Sequence, residues 1–342
     1  MKVKNPLVSV IILGWNSKKF LEKGISSVLK QDYPSYKVIY VDNNSSDGSV
    51  EFVRKKFKKV KILCLKKNYG FAEGNNRGYK IAKGKYVVLL NPDTMVPRYW
   101  LRQLVIPAEE DPTVAAVSSM LFFPGNSLTS NNGEKLNLSP VCIGRSDFDK
   151  DNPFTLFPTG SSCLIRKNYF KVPFDKDYFC YQEDIYLGWK AWLQGYKVIL
   201  NKNSKLWHYG SSALGFYSKV QIFYNERNRF MNILSFFKIG TILLLMPLFI
   251  ADFIIRILYF VFSLRFDLIN AEFSAISWNT LNFKKIMGKR KRIQKLRRVN
   301  DFAILNVLCE NMFGKGLIKS ILNRIFVVYF KSVKRFCKIL NL

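Results

Sequence analysis

The chain has 342 residues, enough for one large α/β domain and a sizeable appendage. Hydrophobic residues make up 49% of it and aromatic residues 15%, which excludes a disordered chain, while a formal net charge of +30 calls for a polyanionic partner, either nucleic acid or the anionic face of a membrane. Six scattered cysteines without a C-x-x-C pair, and a start from Met1 to Pro6 that leads straight into a strand without a signal peptide, predict a catalytic part facing a reducing cytoplasm.

Leu7 to Leu13 reads as a buried strand broken at Gly14. Trp15-Asn16-Ser17 then form the loop before a helix of roughly residues 18–30, with Ser17 as N-cap and Phe20, Leu21, Ile25, Val28 and Leu29 as its apolar face. Val38 to Val41 is a second strand ending on Asp42. The Asn, Ser and Asp residues from Asn43 to Gly48 make a turn that opens a helix through Ser49 to Phe57. Val60 to Leu65 gives a third strand, a helix follows near residues 71–82, and Tyr86 to Leu90 gives a fourth strand that stops at Asn91-Pro92-Asp93-Thr94. Strands and helices alternating at this spacing predict a right-handed βαβ sheet with helices on both faces. Ligands of such sheets gather at the carboxyl ends of the strands, so Asp93 stands where a metal or a phosphate would be handled.

Four blocks now come in order: strand one with Trp15-Asn16, V-D-N-N-S-S-D-G-S from Val41, N-Y-G-F-A-E-G-N-N-R-G from Asn68, and L-N-P-D-T from Leu90. In order and spacing they resemble the family-2 inverting glycosyltransferases of GT-A fold, closest to the rhamnosyltransferase-like branch of cell-surface polysaccharide assembly. The resemblance implies a Rossmann-like mixed sheet with helices on both faces, a nucleotide-sugar half over residues 1–120 and an acceptor half over 121–230. In that family a D-x-D or N-x-D signature at a strand end holds a divalent cation against the donor diphosphate. Here Asn91 replaces the first acid and Asp93 is the one carboxylate the motif supplies, a set that suits Mn²⁺ or Mg²⁺.

Transfer from a nucleoside diphosphate sugar needs a base pocket, neutralisation of the leaving diphosphate, a general base and exclusion of water. Asp42 at the end of strand two matches the position that contacts the nucleoside, Trp15 offers a stacking face, and Asn16 offers a hydrogen bond. Gly70, Gly74 and Gly78 lack the G-x-G-x-x-G spacing and fit close packing of helix on strand. Asn75 and Arg77 are candidates for ribose or phosphate, with Arg77 equally readable as a solvated charge. Farther on, Glu183-Asp184 lies in an apolar run and resembles the family's E-D block. There Asp184 would be the general base, attacking from the face opposite the diphosphate, and Glu183 its orienter or an acceptor ligand. Another Asp often follows two positions later in this branch, and Tyr186 stands there instead. His208, the single histidine of the chain, is placed by the resemblance where it can join Asp93 on the cation. Gly160-Ser161-Ser162-Cys163 reads as a strand edge on the acceptor side.

Beyond Arg229 the composition shifts. Ile239 to Phe262 is nearly all apolar and long enough to span a bilayer, yet holds Pro247, Asp252 and Arg256. Positive residues flank it on both sides: Arg227, Arg229 and Lys238 before, and Lys284 to Arg298 after. Both flanks favour the cytoplasmic side. The expectation is a membrane-associated helical region over 231–342, with a basic segment at 284–298 and an in-plane or re-entrant pair of short helices broken near Pro247. An amphipathic helix over 316–338 would set Ile318, Leu322, Ile325 and Phe326 against Lys319, Arg324, Lys331 and Lys334. Basic residues beside apolar stretches, without a zinc-finger, RNA-recognition or helix-turn-helix signature, point to an anionic membrane surface and not to nucleic acid. By family analogy the acceptor is a lipid-linked glycan at the cytoplasmic face of the cell membrane. A catalytically inactive membrane- or nucleic-acid-binding protein on the same scaffold is the alternative. A nucleotidyltransferase would need a longer glycine- and arginine/lysine-rich loop after strand one.

Overall fold

The computed structural model describes residues 5–123, 153–209, 218–308 and 317–342, without the side chains of 317–323. Cys142, Cys309, Ile318, Lys319 and Leu322 of the sequence reading lie outside the described residues or side chains. The described residues of 1–131, 157–188 and 196–211 form one compact unit, and those of 132–156, 189–195 and 212–342 form a second.

The first unit is built on a mixed sheet. Its strands in chain order are β1 (Val8–Gly14), β2 (Tyr36–Asp42), β3 (Lys61–Cys64), β4 (Tyr86–Leu90), β5 (Thr94–Met95), β6 (Val114–Phe122), β7 (Ser162–Arg166) and β8 (Lys197–His208). They lie side by side as β3-β2-β1-β4-β7-β6-β8-β5. The first four are parallel, as the alternation of strand and helix predicts, and the strands beyond β4 introduce the antiparallel pairs. Every residue of β1, β4 and β7 is buried, so β1 and β4 read as nearly continuous apolar runs instead of alternating ones. β7 lies between β4 and β6, inside the sheet, which corrects the strand-edge expectation for Gly160 to Cys163. All five of its residues are buried.

Helices α1 (Lys18–Leu29), α2 (Ser49–Lys56) and α3 (Gly70–Ile81) join the parallel strands, and α4 (Trp100–Glu110) leads into β6. Leu21, Ile25 and Val28 are the buried face of α1. Ser17 stands at its N-cap, but the hydroxyl makes no capping bond, a second correction: the backbone there turns through the Ser17 carbonyl, which accepts from the Phe20 amide. The glycines of α3 act through absence of bulk. A Cβ at Gly78 would sit 2.9 Å from Val41 Cγ2 and 3.0 Å from Ile11 Cγ2, so the helix rests directly on β1 and β2.

The second unit is helical: α6 (Lys219–Phe236), α7 (Ile239–Phe262), α8 (Phe266–Leu281), α9 (Phe283–Gln294), α10 (Asp301–Leu305) and α11 (Leu317–Ile339), with α5 (Glu183–Leu193) contributing its last residues. α7 runs unbroken through Pro247, which corrects the expected break. A proline inside a helix removes one hydrogen bond, and here the flanking turns are held by packing. The buried residues of α7 include Leu245, Leu248 and Phe249 on either side of that point.

Asp252 and Arg256 pair, and not only with each other. Arg229 of α6 bonds Asp252 Oδ2 at 2.7 Å and also reaches Glu226. Arg256 Nη1 meets Glu226 Oε1 at 2.7 Å and Glu272 Oε1 of α8 at 2.5 Å. Burial, with the Glu226 charge behind it, pushes the Glu272 carboxyl up to about 8, and burial raises Asp252 as well, while Arg229 and Arg256 hold Glu226 down against its own burial. On α11 the inward face is Phe326, Phe330, Val333 and Cys337, while Ile325, expected beside Phe326, is exposed, because consecutive helical residues point about 100° apart.

Candidate active site

β4 ends at Leu90, and the Asn91 amide donates to the Ser161 carbonyl at 3.0 Å, tying the N-P-D turn to the start of β7. β5 begins three residues later, with Thr94 directly opposite His208 at the end of β8. This antiparallel register brings the two ends together. His208 Nε2 lies 3.1 Å from Asp93 Oδ1 and 3.5 Å from Asn91 Nδ2, and the Tyr209 amide donates to the Asp93 carbonyl. Two donors at about 2.1 Å from an octahedral ion, at right angles to one another, stand about 3.0 Å apart, so the Asp93–His208 pair has the spacing of two adjacent ligands. No cluster of three or more His, Cys, Asp or Glu occurs among the described residues. Other coordination positions would fall to water and substrate oxygens.

The acid pair stands at the same end of β7. Tyr181 and Gln182 both take left-handed backbone angles, φ 66° and 67°, and deliver the chain into α5 at Glu183. Such angles are costly for residues with side chains and persist where surroundings enforce them. Here the Phe179 carbonyl accepts from the Phe71 amide and lies 2.2 Å from where a Gly70 Cβ would be, so α3 and this loop meet backbone to backbone. Asp184 is half-buried and accepts from its neighbour's amide, Ile185, at 2.8 Å and from the Gly160 amide. Burial raises its carboxyl to about 6 against those amides. Glu183 is buried, its Oε2 has no hydrogen-bond partner among the described residues, and burial followed by the Asp184 charge pushes it up to about 8. Glu183 therefore holds its proton to higher pH than Asp184, and the two titrate as a pair.

A third group sits where β1 and β2 end, with Gly14 paired to Asp42. Asp42 is buried; it accepts from the Tyr40 hydroxyl at 3.2 Å and the Ser45 amide at 2.9 Å. Asn16, at φ 49°, donates its amide to Ser45 Oγ and accepts from the Ser46 amide, which braces the loop after β1 against the loop after β2. Trp15 beside it is exposed, presenting a ring to solvent. Asn75 is buried and turns its amide onto the Phe71 carbonyl of its own helix. The Arg77 guanidinium lies 3.8 Å above the Tyr69 ring and pairs with Glu73 at 3.1 Å. The structure thus joins Asn91, Asp93 and His208 directly, and the acid pair to them through Gly160 and Ser161. It gathers Trp15, Asn16 and Asp42 separately, while Asn75 and Arg77 stay on α3.

Sequence reasoning passed over four supports. Gly160 and Ser161 were assigned only a lining role, although one holds Asp184 and the other Asn91. Ser45 belongs to a quoted block, yet its use by both Asp42 and Asn16 shows only when the two loops meet. Asn43 bonds Asn68 Oδ1 and the Gly70 carbonyl, and accepts from the Tyr69 amide, linking two quoted blocks. Paired asparagines in successive motifs were the available signal.

A mixed sheet flanked by helices, with Asp93 and His208 at strand ends and an acid pair opening α5, has a GT-A type of architecture. Residues 9–174 match Glycosyl transferase family 2. The chain is similar to the Escherichia coli UDP-Glc:alpha-D-GlcNAc-diphosphoundecaprenol beta-1,3-glucosyltransferase WfaP, at 36% identity over 97 residues, 28% of this chain and 37% of that protein. Among solved structures it resembles S. aureus TarS 1-349 in complex with UDP-GlcNAc, with TM-score 0.56 and 16% identity over 96% of this chain and 90% of the other. It also resembles the mannosyltransferase PcManGT of Pyrobaculum calidifontis in complex with GDP-Man and Mn²⁺, with TM-score 0.51 and 15% identity over 98% and 87%. These structural likenesses establish the fold. The chain spans about 37% of the length of the curated relatives it matches first.

Proposed function

We propose that the protein is a glycosyltransferase that moves a hexose or deoxyhexose from a nucleoside diphosphate sugar to a hydroxyl of a lipid-linked saccharide, with inversion at the anomeric carbon. The observation that carries this reading is the placement of Asn91, Asp93 and His208 at one end of the β4–β7 strand pair with Asp184 held at the same end by Gly160. Asp42, with Trp15 and Asn16, takes the base and ribose, and Asn75 and Arg77 of α3 stand on the nucleotide side. Asp93 and His208 would hold Mn²⁺ or Mg²⁺, which when bound neutralises charge on the departing diphosphate.

Asp184 accepts the proton of the acceptor hydroxyl. The acceptor oxygen bonds the anomeric carbon as the bond from that carbon to the diphosphate oxygen breaks, and the nucleoside diphosphate leaves with the electron pair. Attack comes from the face opposite the diphosphate, hence inversion. Glu183, neutral beside Asp184, can donate a hydrogen bond that orients either the base or the acceptor. WfaP, by its name, acts on a diphosphoundecaprenol-linked acceptor, and a lipid-linked acceptor here would agree with an apolar helix long enough to cross a membrane. We place the work at the cytoplasmic face of an anionic membrane, in surface glycan assembly, and in the rhamnosyltransferase-like branch on the order of its motifs.

The test is turnover of UDP-, GDP- and dTDP-sugars by the purified protein with Mn²⁺ or Mg²⁺. One donor should be consumed in a metal-dependent way, with an inverted product and no turnover in Asp184→Ala. Absence of nucleotide-sugar binding by the wild-type protein would remove the enzymatic reading and leave the inactive scaffold.

A further inference from the structure

α7 buries both of its charged residues and exposes an apolar stripe. The residues it buries include Thr241, Asp252 and Arg256, whereas Leu243, Met246, Ile250, Ile254 and Val261 are exposed at spacings of three, four and seven, a single stripe free of charge. From Ile239 the stripe continues for about 22 residues, roughly 33 Å of helix. A helix of a water-soluble domain does the opposite. The chain beyond it also leaves large apolar side chains in the open, with Phe262 83% and Leu264 76% exposed.

α11 packs against α7, the Tyr329 hydroxyl bonding the Leu244 carbonyl and Thr241 meeting Cys337. Its own outward face sets Ile325, Val328 and Ile339 beside exposed Arg324 and Arg335. The charge of this unit is sorted in the same direction. Among its described residues from Ser218 on, Glu226, Asp252, Glu272 and Asp301 are buried, and Asp267 pairs with Arg265. Lys284, Lys291, Arg292 and Lys295 of α9 and its end are exposed. Outward charge of one sign next to an uncharged apolar stripe is the pattern that an anionic lipid leaflet complements.

We infer that α7 lies in the plane of an anionic leaflet, its exposed stripe in the acyl boundary and α11 beside it, and does not cross the bilayer. The face opposite the stripe decides between these two arrangements. It is held along the helix by Cys337 at Thr241, by Arg229 at Asp252, by a Phe253–Phe273 ring contact at 5.9 Å and by Glu272 at Arg256. Crossing would carry Glu226, Arg229, Asp252, Arg256 and Glu272 into hydrocarbon together or break their bonds. In the plane, the ion network remains on the protein side while the stripe is satisfied. Positive residues at both ends of α7, Lys238 and Arg265, also favour one side for both ends. The seat deepens the membrane part of the function proposed above and is independent of its transfer chemistry.

The experiment uses the full chain with vesicles of phosphatidylcholine, with and without phosphatidylglycerol. Flotation should require the anionic lipid and weaken at high salt. Ile250→Glu with Ile254→Glu should abolish flotation while donor hydrolysis stays at the wild-type rate, which also reports that the variant folds. A fluorescent amino acid placed at Leu243, Ile250 or Val261 is then quenched by lipids carrying shallow or deep nitroxides. Equal, shallow depth at the three sites is the expected result. Ile250 deepest with both ends shallow would mean that α7 spans, and no flotation on either vesicle would remove the lipid seat altogether. Loss of donor turnover with flotation intact would instead strike the chemistry and leave the seat standing.

Discussion

Two clusters of buried acidic groups in the protein are treated differently. In the helical unit, Glu226, Asp252 and Glu272 are met by Arg229 and Arg256, so the cluster closes on itself. In the sheet unit, Glu183 and Asp184 sit side by side against backbone amides, without an ion pair among the described contacts, and Asp184 keeps a path to solvent. Charge neutralised by the fold serves the fold; charge left to be neutralised serves a ligand. This contrast predicts opposite consequences of removing one charge from each place.

The sharpest test removes the two charges in parallel. Asp184→Asn should lower transfer by about 10²- to 10⁴-fold, the range for a lost general base, while donor binding persists and the melting temperature holds or rises. Arg256→Ala leaves Glu272 without its guanidinium partner and Glu226 with Arg229 alone, and should cost about 3–5 kcal/mol in denaturant unfolding while turnover per folded molecule is retained. If Arg256→Ala melts like the wild type, the network is not the support of α7. If Asp184→Asn unfolds the domain, the acid pair is structural, and the contrast between the two regions collapses.

How much of this was legible follows from the same contrast. The parallel strands were readable because each is a short aliphatic run ended by a polar loop, so Tyr86 to Leu90 could be bounded to the residue. The candidate site residues on strand ends and at the helix start could be named because a motif sets residues at fixed places in the chain. What the sequence hid was pairing between distant segments. No spacing in the sequence announces that Thr94 will lie opposite His208, or that Gly160 will hold Asp184, since register is decided by which strands meet. Pro247 misled for a related reason. Proline weakens a helix locally, and the packing that holds α7 through it comes from α11 and α8. The partners of Asp252 and Arg256 were half visible: one turn of spacing shows the pair, but Glu226 and Glu272 lie on other helices.

A milder test acts through pH. Asp184 must be ionised to accept a proton, so kcat/KM should climb through about 6. If the neutral Glu183 orients the acceptor, the rate should fall again through about 8. Glu183→Gln, which stays neutral, should remove the alkaline limb and leave the acid limb in place. Stability should move with the same groups. Both carboxyls are raised above their unfolded values, so the folded state holds protons that the unfolded chain releases. Their contribution is full below about pH 4 and is lost as pH rises through about 6 and 8. A pH–rate profile of Glu183→Gln that keeps its alkaline fall assigns that limb to another group.

The smallest expected effect lies at the proposed nucleoside end, where Asp42 is held by two hydrogen bonds from the fold, an intermediate case between the two regions. The Tyr40 hydroxyl bonds Asp42 Oδ1 and the Ser45 amide bonds Oδ2. Tyr40→Phe removes the first and leaves the second, so the carboxylate keeps its place but loses one restraint. A single hydrogen bond of this kind contributes about 0.5–1.5 kcal/mol, which corresponds to a donor dissociation constant raised by roughly 2- to 12-fold. The effect should appear in binding of the free nucleoside diphosphate as much as in that of the sugar nucleotide, and leave kcat unchanged, because Asp42 touches neither the anomeric carbon nor the acceptor. A fall in kcat at unchanged donor affinity would place Asp42 outside the nucleoside pocket and make the Tyr40 contact part of the sheet's own packing.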